Sequence, residues 1–283
     1  MKLAISGTED VYKSSSITKL LDTARRYKLE YLEIWVPKNI QVEGLDRSVT
    51  LIKDSGLKVA AVSTWTHLFQ PEGVGPQRDL LNQAIALAEQ IEAPLVNTYF
   101  GHNRKQDDEN AIATYADNLK PSLERAASRG ITICLENEFD ALGDDPHASD
   151  ITRRPESIQT LMSRVGTPYF KLTFDPCNFY FAGVEPFPYA YEILKEYIGY
   201  VHLKDGTRYN PSLHENRGLK LFSDHSGRYI CVALGQGGIN YESLLARLKA
   251  DGYRGFYTLE PHVEEKRLDD CYLQTLAYLR RKS

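Results

Sequence analysis

The chain has 283 residues, of which 42% are hydrophobic and 25% are charged, and this balance is typical of a globular protein with an ample core. The formal net charge is −4, so the sequence offers no broad basic field for nucleic acid or for an acidic membrane surface. No stretch is long and apolar enough to span a membrane, and Met1 to Asp10 turn acidic too early for a signal peptide, so we expect a cytoplasmic protein.

Short apolar runs of strand length recur along the chain, and a helical pattern follows each one. The first helical pattern begins at Ile17, after an N-cap offered by Ser14 to Ser16. Pro121 predicts a kink or a break inside the longest pattern, which ends before Gly130. The apolar runs lie at about 2–6, 31–36, 57–64, 93–100, 130–137, 169–175, 198–204 and 255–260. The helical patterns lie at about 17–28, 46–54, 76–92, 107–129, 155–165, 187–197, 241–250 and 264–281.

Repetition of a strand followed by a helix, eight times over, predicts a parallel sheet with right-handed crossovers. About 250 residues are typical of a (β/α)₈ TIM barrel, so we expect a single TIM-barrel domain over residues 1–283. The alternative is an open doubly wound sheet, which usually has a glycine-rich turn after its first strand. The segment Ser6-Gly7-Thr8-Glu9 contains one glycine, and this favours the barrel.

One predicted connection is much longer than the others. It covers about 206–240, between Asp205 and the helix that begins at Tyr241, whereas compact domains prefer connections of a few residues. In a barrel this loop would lie over the C-terminal mouth, where active sites are found. We therefore expect a lid or a substrate-contact loop, and the alternative is a surface excursion used in oligomer contacts.

Four of the apolar runs end in a carboxylate or an imidazole, namely Glu136, Asp175, His202 and Glu260. A carboxylate inside an apolar run is costly to bury unless it is paired or bound to a metal ion. Because the C-terminal ends of barrel strands meet at one mouth, these side chains predict one shared site. Lys204 falls on the same face of its strand as His202, since side chains alternate between the two faces.

Three carboxylates and one imidazole are a donor set for a single divalent cation. Mn²⁺ is our first choice, and Mg²⁺, Co²⁺ and Zn²⁺ are alternatives. Such a cation acts as a Lewis acid on a carbonyl group and stabilises an enediolate. One carboxylate can remove the proton next to the carbonyl and a second can return it, which gives isomerisation or epimerisation. If a leaving group stands at the β position, the same site becomes a lyase.

The motifs around these residues resemble those of the xylose-isomerase-like TIM barrels. They are Glu136 in Leu-Glu-Asn, Asp175 in Phe-Asp-Pro-Cys-Asn, His202 in His-Leu-Lys-Asp, and Glu260 in Thr-Leu-Glu-Pro. This superfamily includes sugar isomerases, ketose 3-epimerases, inosose dehydratase and endonuclease IV. The resemblance implies a barrel with a divalent metal held by the four residues, with Glu136 and Glu260 also acting as the acid/base pair. It further implies that Lys204 points toward the substrate and that Arg208 binds one of its oxygens.

The sequence departs from these relatives at three positions. Asn178 stands where the epimerase and endonuclease branches often have histidine, three residues after the strand-six aspartate. Without that histidine the three-metal site of an endonuclease is undermined, and a direct assignment as a ketose 3-epimerase is weakened. Gln236 replaces a glutamate between two glycines, and Glu138 replaces the histidine of Glu-Asn-His. Asn178 remains among our substrate-binding candidates.

Side chains beyond the third and fourth strands are further candidates for substrate binding. Trp65 and His67 could form a wall of the pocket, because an aromatic face packs on the apolar side of a sugar ring, and ordinary rim packing is the alternative. His102 lies beyond the fourth strand, at the same end of the barrel. Glu33 on the second strand either reaches the barrel mouth or is structural, and we expect His262 to cap the last helix rather than face the site.

We therefore expect a metal-dependent sugar isomerase or epimerase that acts on a small keto-sugar or polyol. The alternatives are a lyase on a keto-sugar or keto-acid, by dehydration, β-elimination or decarboxylation, and a non-catalytic carbohydrate-binding barrel. The four cysteines lack paired metal-ligand spacing and are expected to be reduced thiols. The expected partner is a small sugar-like molecule, with no nucleic acid and no membrane. A homo-oligomer stays open, because barrels of this class often associate.

Overall fold

In this computed structural model the eight apolar runs form the wall of a closed parallel barrel. The structure describes residues 1–8, 16–69, 72–101, 107–139, 150–214 and 219–282. The barrel strands are β1 (Lys2–Ser6), β2 (Tyr31–Val36), β3 (Lys58–Thr64), β4 (Leu95–Thr98), β5 (Thr132–Glu136), β6 (Phe170–Phe174), β7 (Ile198–Leu203) and β11 (Phe256–Leu259). Their order around the barrel is β1, β11, β7, β6, β5, β4, β3 and β2. The predicted (β/α)₈ barrel is confirmed.

The helices lie between the strands, as the alternating pattern predicts. They are α1 (Ile17–Tyr27), α2 (Leu45–Ser55), α3 (Gly75–Gln90), α4 (Asp108–Ala127), α5 (Pro155–Val165), α6 (Pro176–Phe181), α7 (Tyr191–Leu194), α8 (Tyr241–Ala250) and α9 (Glu265–Arg280). Ser16 caps α1, because its Oγ accepts a hydrogen bond from the backbone N–H of Lys19. Ser14 and Ser15 lie outside the described residues. None of the described helices combines the length and apolarity that crossing a membrane requires.

Pro121 was predicted to cause a kink or a break, and the break is wrong, because helix α4 continues through Pro121. Pro121 cannot donate a backbone hydrogen bond, yet its side chain lies on the exposed face. Leu119 before the proline and Ala126 after it are fully buried and hold the helix against the rest of the protein on both sides of Pro121. Tertiary packing therefore outweighs the local cost of the proline.

The segment between β6 and β7 also differs from the prediction of one helix over 187–197. A turn over Pro186–Ala190 with extended backbone at Phe187, the short α7 and a 3-10 turn (Lys195–Tyr197) replace it. Pro186 and Pro188 have no backbone N–H to contribute to a regular helix. The preceding helix α6 has no counterpart among the predicted helices, and its start is fixed by the side chain of Asp175.

Side chains inside the barrel are arranged in layers, because residues two apart on a strand share a face. The layer nearest the N-terminal ends of the strands is apolar and contains Ala61, Leu95, Cys134 and Tyr200. Two residues further along the same strands lie Ser63, Asn97, Glu136 and His202, which are polar and almost completely buried. The change from apolar to polar inside the barrel places the polar layer at the C-terminal mouth.

The long connection after β7 contains a small antiparallel sheet in its described part. Its strands are β8 (Asp205–Arg208), β9 (Phe222–Asp224) and β10 (Gly227–Val232), in the order β8, β10, β9. Phe222 packs against Phe139, Phe181 and His262, which follow β5, β6 and β11. The sheet thus covers one side of the C-terminal mouth, and its role as a lid stays a prediction.

Candidate metal centre

The four residues singled out by their strand-end positions meet at one point. Each of Glu136, Asp175, His202 and Glu260 offers a ligand atom, and these atoms all lie within 4.8 Å of one another. All four residues are buried, with at most 1% of their surface exposed. They come from the ends of four neighbouring strands, β5, β6, β7 and β11, so the cluster exists only because these strands pair.

His202 lies at the centre of the cluster, between three carboxylates. Its Nδ1 is 3.0 Å from Oε1 of Glu136 and 3.3 Å from Oε2 of Glu260, and its Nε2 is 3.0 Å from Oε2 of Glu33. Although burial lowers it, the pKa of His202 is raised well above its ordinary value by Glu136, Glu33 and Glu260. These carboxylates therefore favour the protonated imidazole.

Glu33 orients the imidazole from the side opposite to the cluster. Its carboxylate accepts hydrogen bonds from Oγ of Ser63 at 2.8 Å and from the hydroxyl of Tyr200 at 2.5 Å, which fix its position. A carboxylate accepts hydrogen bonds only, so Glu33 keeps the proton of His202 on Nε2 when the ring is neutral. Nδ1 is then free to bind a metal ion, an arrangement common among metal-ligating histidines.

Glu136 has one oxygen anchored and one directed at the cluster. Its Oε2 accepts hydrogen bonds from Nδ2 of Asn97 at 2.9 Å and from the hydroxyl of Tyr99 at 2.7 Å. Its Oε1 faces His202, with Nδ2 of Asn178 at 3.4 Å. The anchored oxygen fixes the direction of the other one.

Asp175 is held by the helix that follows it. Its Oδ1 accepts hydrogen bonds from the backbone N–H groups of Cys177 and Asn178, at 2.7 and 3.1 Å, as the N-cap of α6. Its Oδ2 lies 2.7 Å from Nζ of Lys204. Burial raises the pKa of Asp175, and the Lys204 ammonium opposes this shift.

Glu260 completes the set from the last barrel strand. Its Oε1 accepts a hydrogen bond from Oγ1 of Thr8 at 2.9 Å, and its Oε2 lies 3.3 Å from Nζ of Lys204. Burial would raise the pKa of Glu260, but His202 and Lys204 outweigh it and hold that pKa well below its ordinary value. Glu260 therefore stays ionised.

The donor set fits a divalent cation. Once the imidazole is neutral, the four carboxylates carry more negative charge than Lys204 balances, and a dication can supply the missing positive charge. These carboxylates belong to Glu33, Glu136, Asp175 and Glu260. Hard oxygen donors with one imidazole suit Mn²⁺, Mg²⁺, Co²⁺ or Zn²⁺, and the donor types alone do not select among them. The cluster could thus hold one such ion.

Glu136 and Glu260 line a cavity of about 450 Å³. A ligand in this cavity could reach the cluster of candidate metal ligands. The third layer of barrel side chains, two residues beyond the polar layer, also lines it and comprises Trp65, Tyr99, Glu138 and Lys204. Burial and Glu136 raise the pKa of Glu138 well above its ordinary value. A larger cavity of about 880 Å³ lies between α1 and α9 and contains none of the four candidate ligands.

One wall of the 450 Å³ cavity is aromatic. Trp65 is 46% exposed and stacks on Tyr99 with ring centroids 4.4 Å apart, and Trp35 lies 5.7 Å from Tyr99. A large, partly exposed indole ring in a cavity wall offers a flat apolar surface to a ligand.

The structure distributes the other predicted substrate contacts unevenly. Trp65 lines the cavity, whereas His67 is not among its lining residues, and the centroids of the two rings are 6.1 Å apart. Asn178 supports the cluster, because its Nδ2 also donates to the backbone oxygen of Asn137 at 2.9 Å. Arg208 is not brought to this cavity; its guanidinium donates to the backbone oxygen of Ser226 and borders a different cavity. His102 lies outside the described residues.

The prediction for His262 is wrong. The N-cap position of α9 is Glu264, and His262 instead lines the cavity with its Nε2 3.6 Å from Oε2 of Glu260. Tyr99 and Glu138 were not predicted as cavity residues. Counting two residues onward from Asn97 and Glu136 would have placed them on the inward face.

The four cysteines are buried and unbridged in the structure, and their reduced state stays a prediction. Burial and the neighbouring Cys231 raise the pKa of Cys177 well above its ordinary value, so Cys177 is not an activated nucleophile. The glycine-rich segment after β10 does not offer its N–H groups to a ligand, because Gly235 and Gly237 donate to Oδ2 of Asp205 at 2.8 and 3.0 Å.

Comparison with known proteins places this geometry in context. A family model described as "Xylose isomerase-like TIM barrel" matches residues 21–282. The comparison with curated proteins finds no match.

Solved structures with the same fold cover almost the whole chain. The probable 3-DHS dehydratase AsbF of Bacillus anthracis is 17% identical with a TM-score of 0.75, covering 99% of this chain and 99% of that one. D-allulose 3-epimerase of Methylomonas sp. is 16% identical with a TM-score of 0.71, covering 100% and 98%. The IOLI protein, solved with a bound zinc atom, is 16% identical with a TM-score of 0.74, covering 99% and 96%.

Proposed function

Because the chain belongs to the xylose isomerase-like TIM barrel family, we propose that it is a divalent-metal-dependent isomerase or epimerase of a small keto-sugar or polyol. The observation that carries the proposal is the pair of carboxylates at the bottom of the aromatic-walled cavity. Glu136 and Glu260 both approach Nδ1 of His202, and each keeps one oxygen directed at the cluster while its other oxygen is anchored.

The substrate would bind between the aromatic wall and the carboxylates. Trp65 packs against the apolar face of the carbon chain, and the buried position of Glu136 and Glu260 keeps bulk water from the reacting carbons. A bound divalent cation supplies Lewis acidity toward the carbonyl oxygen. Lys204 adds a fixed positive charge beside Asp175 and Glu260. In the proposed reaction this charge stabilises the negative charge that develops on the substrate oxygen.

Proton transfer falls to the two glutamates. One carboxylate takes the proton from the carbon next to the carbonyl, which leaves an enediolate, and the other glutamate returns a proton to the neighbouring carbon or to the opposite face. Delivery to the neighbouring carbon gives an isomer, and delivery to the opposite face gives an epimer. The tight anchoring of Oε2 of Glu136 by Asn97 and Tyr99 fixes the direction from which this carboxylate acts.

The test is turnover of ketopentoses and ketohexoses in deuterium oxide by protein stripped of metal and reloaded with Mn²⁺. The expected product has one carbon-bound hydrogen replaced by deuterium and is therefore about one mass unit heavier than the substrate, since the proton passes through an exchangeable carboxyl group. Glu136→Gln should lower the rate on the order of 10²–10⁴-fold, the usual contribution of a positioned acid or base. The matched control is Glu196→Gln, because Glu196 is exposed just before β7, at the N-terminal end of the barrel. Equal turnover without metal, or a product without deuterium, contradicts the proposal.

A lyase acting on a keto-sugar or keto-acid is the second candidate. It is favoured by His262, whose imidazole lines the cavity 3.6 Å from Glu260 and could protonate a departing hydroxyl group. The similarity to a probable dehydratase and to an epimerase agrees with a first step shared by both reactions. In the same experiment a dehydratase would give a product lighter by one water, so product mass separates the two candidates.

A further inference from the structure

A chain of hydrogen bonds leads from the indole ring of Trp35 to the carboxylate of Glu260. Nε1 of Trp35 donates to Oγ of Ser6 at 3.2 Å, and Oγ of Ser6 lies 2.5 Å from Oγ1 of Thr8. The Thr8 hydroxyl group in turn donates to Oε1 of Glu260 at 2.9 Å. These side chains belong to residues that are at most 7% exposed. The chain therefore joins β2 to the end of β11 through groups that are largely shielded from bulk water.

The donors that meet at Ser6 fix the direction of this chain. The indole N–H of Trp35 and the backbone N–H of Thr8 both donate to Oγ of Ser6, each at 3.2 Å. Neither of these N–H groups can accept a hydrogen bond, and a hydroxyl oxygen has two lone pairs. Ser6 is thus left with its own proton, which it donates to Thr8. The Thr8 proton is then directed at Oε1 of Glu260, so the protein holds this oxygen as an acceptor.

The ends of β1 and β2 are held together where the chain crosses between them. Oδ1 of Asn39 accepts the backbone N–H of Trp35 at 2.7 Å, and Nδ2 of Asn39 donates to the backbone oxygen of Gly7 at 3.1 Å. A Cβ atom at position 7 would lie 2.0 Å from Oδ1 of Asn39, so this approach requires glycine. The backbone segments that carry Trp35 and Thr8 are therefore fixed relative to each other.

The ring of Trp35 also supports the second glutamate of the proposed acid/base pair. Its centroid lies 5.7 Å from that of Tyr99, with an interplanar angle of 31°. The Tyr99 hydroxyl group donates to Oε2 of Glu136 at 2.7 Å. One buried indole side chain thus contacts the support of Glu136 with its ring and the support of Glu260 with its N–H group.

We propose that Trp35 is a positioning residue for both members of the glutamate pair. It acts on Glu260 through two hydroxyl groups and on Glu136 through its ring. This inference rests on the proposed function, because it concerns the two carboxylates that are assigned there to the reaction. With Oε1 of Glu260 held by the chain, Oε2 stays directed at the cluster, 3.3 Å from Nδ1 of His202. Loss of such a support behind a metal ligand typically lowers metal affinity about 10–100-fold.

The first experiment measures the Mn²⁺ affinity of purified variants by competitive titration against a chelator. Thr8→Val removes the hydroxyl group and keeps the branched shape, and it should weaken Mn²⁺ binding about tenfold. Thr8→Ser keeps the hydroxyl group and should restore the affinity of the parent. The matched control is Thr64→Val, because the buried hydroxyl group of Thr64 at the end of β3 has no hydrogen-bond partner in the described structure. The affinity of this control should equal that of the parent.

The second experiment tests whether Trp35 acts through Thr8. Trp35→Phe keeps an aromatic ring beside Tyr99 but removes the N–H group, and it should weaken Mn²⁺ binding up to about tenfold. In a Thr8→Val background the same change should have no further effect, because the chain is already broken. Trp35→Leu in that background should still weaken binding about threefold, because it also removes the ring from Tyr99. Ser6→Ala breaks the chain in the middle and should reproduce the loss of Trp35→Phe if that variant does not fold.

The indole N–H group gives a readout that does not depend on the metal ion. The chain contains two tryptophans, so ¹⁵N-labelled protein should give two indole N–H signals in NMR, which Trp65→Phe assigns. Because Ser6→Ala removes the acceptor of the Trp35 N–H, this signal should move upfield in that variant. In Thr64→Val it should keep its position.

Urea unfolding of each variant establishes that the titrated protein is folded. Equal Mn²⁺ affinities of the parent and Thr8→Val, equal losses in Thr8→Val and Thr8→Ser, or additive losses from Trp35→Phe and Thr8→Val overturn the action of Trp35 on Glu260. An unchanged affinity on adding Trp35→Leu to Thr8→Val overturns the action of its ring on Glu136. Each of these results leaves the proposed function standing. A parent protein that binds no divalent cation overturns the proposed function and this inference with it.

Discussion

His202 shows how a single buried side chain depends on contacts from distant parts of the chain. Its two ring nitrogens contact carboxylates on β2, β5 and just beyond β11, at 3.0 to 3.3 Å. The sequence identifies the residue, because a histidine at the end of an apolar strand requires a partner. For Glu33, the partner that orients it, the sequence does not distinguish a structural from a functional role. The structure brings Glu33 against Nε2, where it fixes the tautomer.

At this residue we predict that Glu33→Gln weakens metal binding. The amide can donate as well as accept, so it no longer forces the proton onto Nε2, and loss of such a partner typically lowers metal affinity about 10–100-fold. The measurement is a competitive titration of Mn²⁺ or Zn²⁺ against a chelator. His202→Ala should lose the ion altogether, and an affinity of Glu33→Gln equal to that of the parent would show that Glu33 does not orient the ligand.

Among the elements, the long connection after β7 contains short strands that the pattern of apolar runs does not indicate. Asp205 holds this segment together, because its carboxylate accepts hydrogen bonds from the backbone N–H groups of Gly206, Gly235 and Gly237. Strands β8 and β10 pair between these contacts. The sequence predicts a loop over the mouth, whereas the structure has a small sheet there. The apolar pattern does not reveal this sheet, because its strands are short and their pairing is not local.

We predict that Asp205→Asn destabilises the protein by about 1–3 kcal/mol, because one backbone N–H would face the amide N–H₂ instead of an acceptor. The measurement is the free energy of unfolding by urea at neutral pH. A change below the experimental error would mean that the glycine contacts contribute nothing to stability.

The free energies of unfolding of the parent protein and of Asp205→Asn should also depend differently on pH. Burial raises the pKa of Asp205 to about 6, although the N–H groups of Gly237, Gly235 and Gly206 oppose this. Because the folded pKa lies above the ordinary value of 3.8, the folded state binds the proton more tightly. The stability that this carboxyl group adds to the folded state is therefore fully present below about pH 4 and is lost as the pH rises through about 6. The stability advantage of the parent over Asp205→Asn should be larger at pH 4.5 than at pH 7.5.

Helix α4 provides a second test at the scale of an element. Pro121 leaves the carbonyl of Asp117 without its helical partner, and we expect Pro121→Ala to stabilise the protein by about 1–3 kcal/mol. The control is Pro76→Ala, because the exposed Pro76 lies in the first turn of α3, where the missing N–H would be unpaired in any case. Both are measured as free energies of unfolding by urea. A gain of equal size in both variants would mean that the position inside the helix does not matter.

At the scale of the whole molecule, the site depends on the pairing of strands that are distant in the chain. Glu136, Asp175, His202 and Glu260 come from four places along the chain, and parallel pairing of β5 with β6, β6 with β7, and β7 with β11 puts them side by side. An ion bound by all four therefore binds the folded chain and not the unfolded one. Folding and metal binding should be coupled through this cluster.

We predict that a divalent cation raises the melting temperature of the parent protein. At a free concentration 100 times the dissociation constant, the expected stabilisation is about 2.7 kcal/mol, because the ion binds only the folded state. Thermal unfolding followed with and without Mn²⁺ measures the shift. His202→Ala should show no shift, and a similar increase in both proteins would mean that the ion binds elsewhere.

By itself, the sequence determined the alternation of strands and helices, and with it the barrel, because hydrophobic periodicity and caps are local properties. It also determined the four candidate ligands, since a charged residue at the end of an apolar strand is visible without any contact. Only the tertiary structure decided what each residue touches. It brought Glu33 to His202 and His262 to the cavity, and it took Arg208 to a different cavity. These contacts join residues far apart in the chain, and their geometry is fixed by strand register and layer, which local patterns do not contain.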